Sequence, residues 1–217
     1  KTKITQHVYE THQKPENYDF LIKATALISK LGHQNLNLNN KDCRNISNSH
    51  SSLTKIKSLL SGPPAIDYNL FGTITGRLAT RRGSFPILTV KKEFRKLIKP
   101  HNEWFVSLDY NGAEIRTFLS LSGHQQPDCD IHGWNLINVF KDVSIPREEA
   151  KTMFFSWFYN PDSTVIESEY YDRSKLLEEW YSDGHVRTPF KRRIKVEPRK
   201  ALNYLIQSAT SDLVIEK

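Results

Sequence analysis

The stretch FVSLDYNGAEIR, Phe105 to Arg116, contains a change of period, and the rest of the chain is read outward from it. Phe105, Val106 and Leu108 form a short apolar, β-prone run that ends on Asp109, and Asn111-Gly112 is a turn signal. After the turn, Ile115, Phe118, Leu119 and Leu121 fall at helical spacing, with Gly123 placed as a stop. The pattern predicts a strand, a turn and a helix, with Asp109 at the strand mouth and Glu114 in the first helical turn.

A carboxylate held at a strand end yet open to solvent is a rigid mount for a hard cation such as Mg²⁺. The plainer alternative is that Asp109 only ends a strand and Glu114 only complements a helix dipole. The surrounding charge favours the first. The 217 residues carry 31 Lys plus Arg against 24 Asp plus Glu, a net charge of +7 and a pI near 9.3. The basic residues cluster at Arg77, Arg81 and Arg82, at Lys91 to Lys99, and at Lys191 to Lys200, which points to a polyanionic partner. Cys43 and Cys129 have neither metal nor redox spacing and read as reduced thiols of a cytoplasmic protein. No apolar run reaches membrane-spanning length and no signal peptide is visible, so no membrane partner is expected. The first residue is Lys1, which reads as a processed chain or a fragment.

In chain order, residues 1 to 16 are polar and aperiodic. Asn17 to Leu31 carries an amphipathic stripe stopped by Gly32, residues 33 to 52 read as a long loop, and Leu53 to Leu60 as a short helix. YNLFGTITGRL, residues 68 to 78, alternates and is punctuated by glycine, with Arg77 placed to reach a sugar-phosphate edge. Lys91 to Pro100 reads as a basic strand.

The helix predicted after Pro146 has two faces. Ala150, Met153, Phe154, Trp157 and Phe158 make its core stripe, while Arg147, Lys151, Phe155 and Tyr159 recur every fourth residue on another. That second row is about 18 Å long, enough to span a nucleoside triphosphate from phosphates to base. Its cations would meet phosphates at the helix N-terminus, and its aromatics would meet sugar and base. A last helix opens at Pro198, with Arg199, Asn203 and Gln207 lining one face beside a core stripe. Such a row suits the minor groove, where hydrogen-bonding patterns barely depend on sequence.

Over residues 66 to 217 the chain resembles the family A DNA polymerases, the group of DNA polymerase I and many phage replicases. The resemblance rests on five elements in order: TGRL at 75 to 78, DYNGAEIR at 109 to 116, DIH at 130 to 132, Arg-x3-Lys-x3-Phe-x3-Tyr at 147 to 159, and Arg-x3-Asn-x3-Gln at 199 to 207. It implies an α+β right-hand architecture: a palm with an antiparallel sheet over 66–125, helical fingers over 126–183, and a strand pair and helix returning to the palm over 184–217. Residues 1–65 would form a thumb-like or N-terminal segment.

By that resemblance Asp109 is the metal-binding acid, with the Tyr110 carbonyl as a further ligand, for two Mg²⁺ ions. Glu114 closes off space beside the sugar C2′, favouring deoxyribonucleotides. His132, Arg147 and Lys151 contact the triphosphate, Phe155 the sugar, and Tyr159 gates the templating base. Arg77, Arg199, Asn203 and Gln207 contact the primer-template minor groove. The implied partners are primer-template DNA and deoxynucleoside triphosphates, and the implied activity is template-directed addition of deoxynucleotides to a primer 3′-hydroxyl, in the host cytoplasm if phage-encoded.

The chain departs from the family pattern. Asn111-Gly112 stand where many members carry Ser-Gln, Asn160 and Ser208 replace common glycines, and the span from Tyr159 to Gly184 is short, as in compact phage-like fingers. The family's His-Asp-Glu motif, source of the second metal-binding aspartate, would follow Lys217 or come from a further polypeptide. Asp212 and Glu216 are poor substitutes because both belong to the last helix. The alternative function is therefore a non-catalytic primer-template and nucleotide-binding fragment. A single-subunit RNA polymerase is a third reading, disfavoured by Phe155 and Glu114.

Overall fold

The computed structural model describes residues 2–39, 41, 49–142 and 144–217. Cys43 and much of the predicted 33–52 loop lie outside them, while Cys129 is a free, exposed thiol.

The strongest helical periodicities become helices at nearly the expected bounds. Alongside α1 (Thr2–Thr11) stand α2 (Tyr18–Gly32), α3 (His50–Ser61), α4 (Ala113–Leu121), the short α5 (Ile131–Asn135), α6 (Arg147–Phe158), α7 (Arg173–Trp180) and α8 (Pro198–Glu216). Ser49 caps α3 by accepting from the Ser52 N–H, and Asp130 caps α5 by accepting from the Gly133 N–H. The aperiodic reading of residues 1 to 16 is corrected, since Thr2–Thr11 is a helix; it buries no residue, and Ile4 and Val8, one turn apart, face solvent.

The strands are short. β1 (Asn37–Leu38) pairs with β4 (Ile98–Lys99), and β2 (Tyr68–Asn69) with β3 (Ala79–Thr80), each antiparallel. β5 (Tyr181–Ser182), β6 (His185–Arg187) and β7 (Arg193–Lys195) form an antiparallel sheet in that order. The fold class is thus α+β, as expected.

Two expected strands are corrected. Lys92–Leu97 is a 3₁₀ helix that buries Phe94 and Leu97, and only Ile98–Lys99 of the basic stretch enters a ladder. Phe105–Leu108 is not a strand, and its side chains face solvent: Phe105 is 64%, Val106 80% and Leu108 91% exposed. Alternation gives a strand only where a second strand accepts its backbone bonds and a layer covers one face, and neither condition holds here among the described residues. Asp109 therefore ends an exposed, unpaired segment rather than a sheet strand.

One large core joins everything from α4 onward. Ile115, Phe118 and Leu119 of α4 pack with Phe154, Trp157 and Phe158 of α6, with Val186 and Ile194 of the sheet, and with Leu205 and Ile206 of α8. Within it Phe118 and Phe158 meet edge to face at 5.4 Å, and Phe154 stacks on Phe158 at 5.3 Å. The Thr210 hydroxyl bonds that of Thr117 at 2.8 Å, pinning α8 to α4. A second core gathers Ile56, Leu59, Phe85, Val90, Phe94 and Leu97. A third, of Ala24, Ile28 and Leu70 with Ile215 at its edge, seats α2 against the end of α8.

Candidate functional site

The turn at residues 109–112 sets the geometry. Gly112 has φ +63°, and a Cβ there would lie 2.3 Å from Ile131 Cγ2, so only glycine lets the α4 entry press against α5. The Asn111 side chain completes this contact. Its amide donates to Asp130 Oδ1 at 2.5 Å, and its oxygen accepts the Ile131 N–H at 2.8 Å. Arg116, one turn further, donates to the carbonyls of Asn111, Pro127 and Cys129 at 2.8, 2.8 and 2.7 Å, fastening the loop before α5 to α4.

Asp130 is the hub of this corner. Arg147 grips it with two parallel bonds, Nε to Oδ2 at 2.9 Å and Nη2 to Oδ1 at 2.7 Å, and turns Nη1 to Glu148 at 2.5 Å. The Arg147 hydrogen bond holds the Asp130 carboxyl far below the usual carboxylate range; burial is the next effect and opposes it, while Asn111, the Gly133 N–H and the Arg147 charge lower it further. Arg147 thus has its fork occupied and must exchange partners to take a phosphate.

The second row of α6 sits against this corner. Tyr159 Oη donates to Glu114 Oε2 at 2.6 Å, linking residues 45 apart in sequence. Burial first, then the Glu114 hydrogen bond and charge, push the Tyr159 hydroxyl far above the usual phenol range, while Arg77 opposes them. Phe155 stacks on Tyr159 at 6.2 Å with planes 19° apart, and it meets the His132 ring at 6.1 Å in a tilted contact, planes 59° apart.

His132 is only 5% exposed. Burial, followed by the charge of Arg147, lowers its pKa, with Lys151 adding to the effect and Asp130 and Glu148 opposing it, so the imidazole is neutral at pH 7. Its Nδ1 is buried without a hydrogen-bond partner. Lys151, Phe155 and Tyr159 are half-buried and Arg147 is exposed. Of the expected core stripe only Met153 departs, at 38% exposed.

The other expected residues lie along α8 and the loop beside it. Asn203 and Gln207 are half-buried, and Arg199 is exposed and paired with Asp162 at 2.5 Å. The 68–78 segment runs next to this helix, where Ile74 shares a cleft with Lys200 and Tyr204. Arg77 itself is exposed and close enough to Tyr159 for its charge to act on that hydroxyl. Glu114, His132, Arg147, Phe155 and Tyr159 therefore form one connected wall, with Lys151 near enough to act on His132.

The metal expectation meets a short donor set. Asp109 and the Tyr110 carbonyl can supply oxygens to one Mg²⁺, which takes one or two carboxylates together with water and phosphate oxygens. A pair of ions needs a further carboxylate. Asp212 is fully buried and held by Arg192, and among the described residues no group of three or more His, Cys, Asp and Glu side chains converges.

Sequence reading missed Asp130, Asn111 and Arg116 as organisers of the site. Asp130 had a visible signal, an N-cap residue immediately before an apolar helix. Asn111 and Arg116 had none, since their partners lie across the fold.

No protein-family model matches this chain, and no curated protein matches it. No helix among the described residues is long and apolar enough to cross a membrane.

Proposed function

We propose that this chain is the nucleotide- and primer-template-binding part of a template-directed DNA polymerase of the family A type. In this reading α4 and the turn before it belong to the palm and α6 to the fingers. The wall of α6 receives a deoxynucleoside triphosphate, and Arg77, Arg199, Asn203 and Gln207 meet the minor groove of the primer-template. The observation that carries the proposal is the Tyr159–Glu114 hydrogen bond. It joins two residues that the sequence resemblance assigns independently to base and sugar, with Phe155 stacked on Tyr159 and in tilted contact with the His132 ring.

Each residue has a role consistent with its surroundings. Glu114, fixed by Tyr159, presents a carboxylate where a ribose 2′-hydroxyl would crowd it. Lys151 supplies a cation to the triphosphate, and His132 lies near enough to Lys151 and Arg147 for their charges to act on its ring. Arg147 can turn from Asp130 to a phosphate, trading one bidentate acidic partner for another. The phosphoryl chemistry of such enzymes depends on Mg²⁺, and in this reading Asp109 would hold one ion.

The second reading, binding without synthesis, is favoured by the absence of any converging group of three or more His, Cys, Asp and Glu side chains among the described residues. Single-nucleotide primer extension separates the two. Synthesis that disappears in Asp109→Ala while primer-template affinity persists supports the polymerase, and synthesis retained in that variant removes the assignment of Asp109. Glu114→Ala is expected to raise ribonucleotide use, and unchanged sugar discrimination would count against the gate.

A further inference from the structure

Asp212 is the one fully buried carboxylate of α8, and the proposed function makes no use of it. Arg192, at the turn between β6 and β7, takes both its oxygens: Nε donates to Oδ2 at 3.0 Å and Nη2 to Oδ1 at 2.5 Å, with the Arg192 side chain only 13% exposed. Burial outweighs this partner and raises the carboxyl's pKa. A pair so costly to desolvate is poorly explained by stability alone, since apolar residues of similar volume often serve as well.

The other side of the same guanidinium explains it better. Gly76 has φ +76°, and a Cβ there would lie 2.6 Å from Arg192 Nη2 and 2.8 Å from Cζ. An arginine tip can usually swing aside, but this one cannot do so without stranding Asp212 as an unpaired buried charge. Arg192 is also held from its own backbone, whose N–H donates to the Thr188 hydroxyl and whose carbonyl accepts the Thr188 N–H. The residue after Gly76 is Arg77, whose carbonyl accepts the Thr73 hydroxyl at 2.8 Å, closing the turn. The last helix, the β6–β7 turn and the Gly76–Arg77 turn thus meet at one planar group.

We propose that the Arg192–Asp212 pair is a positioning clamp for Arg77, fixing where that side chain meets the duplex relative to Asn203 and Gln207 on α8. This rests on the reading that Arg77, Asn203 and Gln207 contact primer-template DNA, and it adds two positioning residues that touch neither DNA nor nucleotide. Arg192 must then be arginine. A lysine preserves the charge opposite Asp212 but has no fork to engage both oxygens and no flat face for Gly76.

The test is equilibrium binding of a fluorescent primer-template by the full chain at several salt concentrations. Arg77→Ala, Gln207→Ala, Gly76→Ala, Arg192→Lys and the double variant Gly76→Ala/Arg77→Ala are compared. Arg77→Ala should weaken binding about tenfold, as loss of one charged contact does, and lower the salt slope by about one ion. Gly76→Ala and Arg192→Lys should each reproduce most of that loss and the reduced slope, and the double variant should bind no worse than Arg77→Ala. Gly76→Ala or Arg192→Lys binding like the parent, or losses that simply add in the double variant, would overturn the clamp. If Gly76→Ala does not fold, Arg192→Lys alone carries the comparison, and its salt slope separates a misplaced Arg77 from general loosening. If Arg77→Ala and Gln207→Ala both bind like the parent, it is the DNA reading itself that fails.

Discussion

Removing the Tyr159 hydroxyl tests whether α4 and α6 are joined at the proposed nucleotide wall. Tyr159 donates to the Glu114 carboxylate at 2.6 Å, and because its ionisation is pushed well above the usual range it remains a donor throughout neutral pH. A hydrogen bond to a charged acceptor contributes about 1.5–3 kcal/mol net. Glu114 is half-buried, so water can partly replace the lost donor, and Tyr159→Phe should cost about 1.5 kcal/mol, at the lower end. For a chain of this size that is a fall in Tm of about 3–6 °C. Glu114→Gln retains an acceptor but removes the charge, so it should cost less. In the double-mutant cycle the two changes should couple by about 1 kcal/mol, measured by urea and thermal unfolding. A Tyr159→Phe protein that melts with the parent, with coupling below about 0.3 kcal/mol, would refute the contact and with it the joined wall.

Three other outcomes follow from the same corner. Gly112→Ala forces a left-handed residue and a Cβ into Ile131, and should cost about 2–4 kcal/mol in chemical denaturation, less when Ile131 is also cut to Ala. Equal costs in the two backgrounds would mean that the turn does not press on α5. Asp130 has a folded-state pKa held below its unfolded value, so its contribution to stability is full above the ordinary carboxylate range and is lost as pH falls from about 5 toward 2. Asp130→Asn should flatten that acid limb of the stability profile, and an unchanged limb would place the titration elsewhere. Lys151→Ala should weaken triphosphate binding with little effect on primer-template affinity, and equal losses in both would turn this face of α6 toward DNA.

The legible and illegible parts of this fold divide by the range of the forces involved. Helices α2, α3, α4, α6 and α8 could be read because a 3.6-residue stripe and its start and stop residues are local. The apolar run Phe105–Leu108 was misread as a strand because pairing is decided by other segments, and none of the described ones lies alongside. Lys92–Leu97 hides its two buried residues, Phe94 and Leu97, three positions apart, a spacing that suits a 3₁₀ turn better than an alternating strand. The row Arg147, Lys151, Phe155, Tyr159 was visible because one helix carries all four. That it would meet Glu114 was not visible in the row, since Tyr159 and Glu114 lie 45 residues apart and their bond depends on how α4 and α6 pack. The bonds of Asn111 to Asp130 and of Arg192 to Asp212 leave no mark in spacing, since each joins residues about 20 apart through the packing of different elements.

The most direct measurement is ternary-complex formation on a dideoxy-terminated primer-template, which requires binding but no chemistry. Anisotropy or retention of the labelled duplex would be followed in turn with each of the four deoxynucleoside triphosphates, across templates that differ only in the first unpaired base. The account predicts that the complementary nucleotide alone tightens the complex, that the preference follows the template base, and that Tyr159→Ala or Lys151→Ala reduces it. Equal effects from all four nucleotides, or none from any, would contradict it.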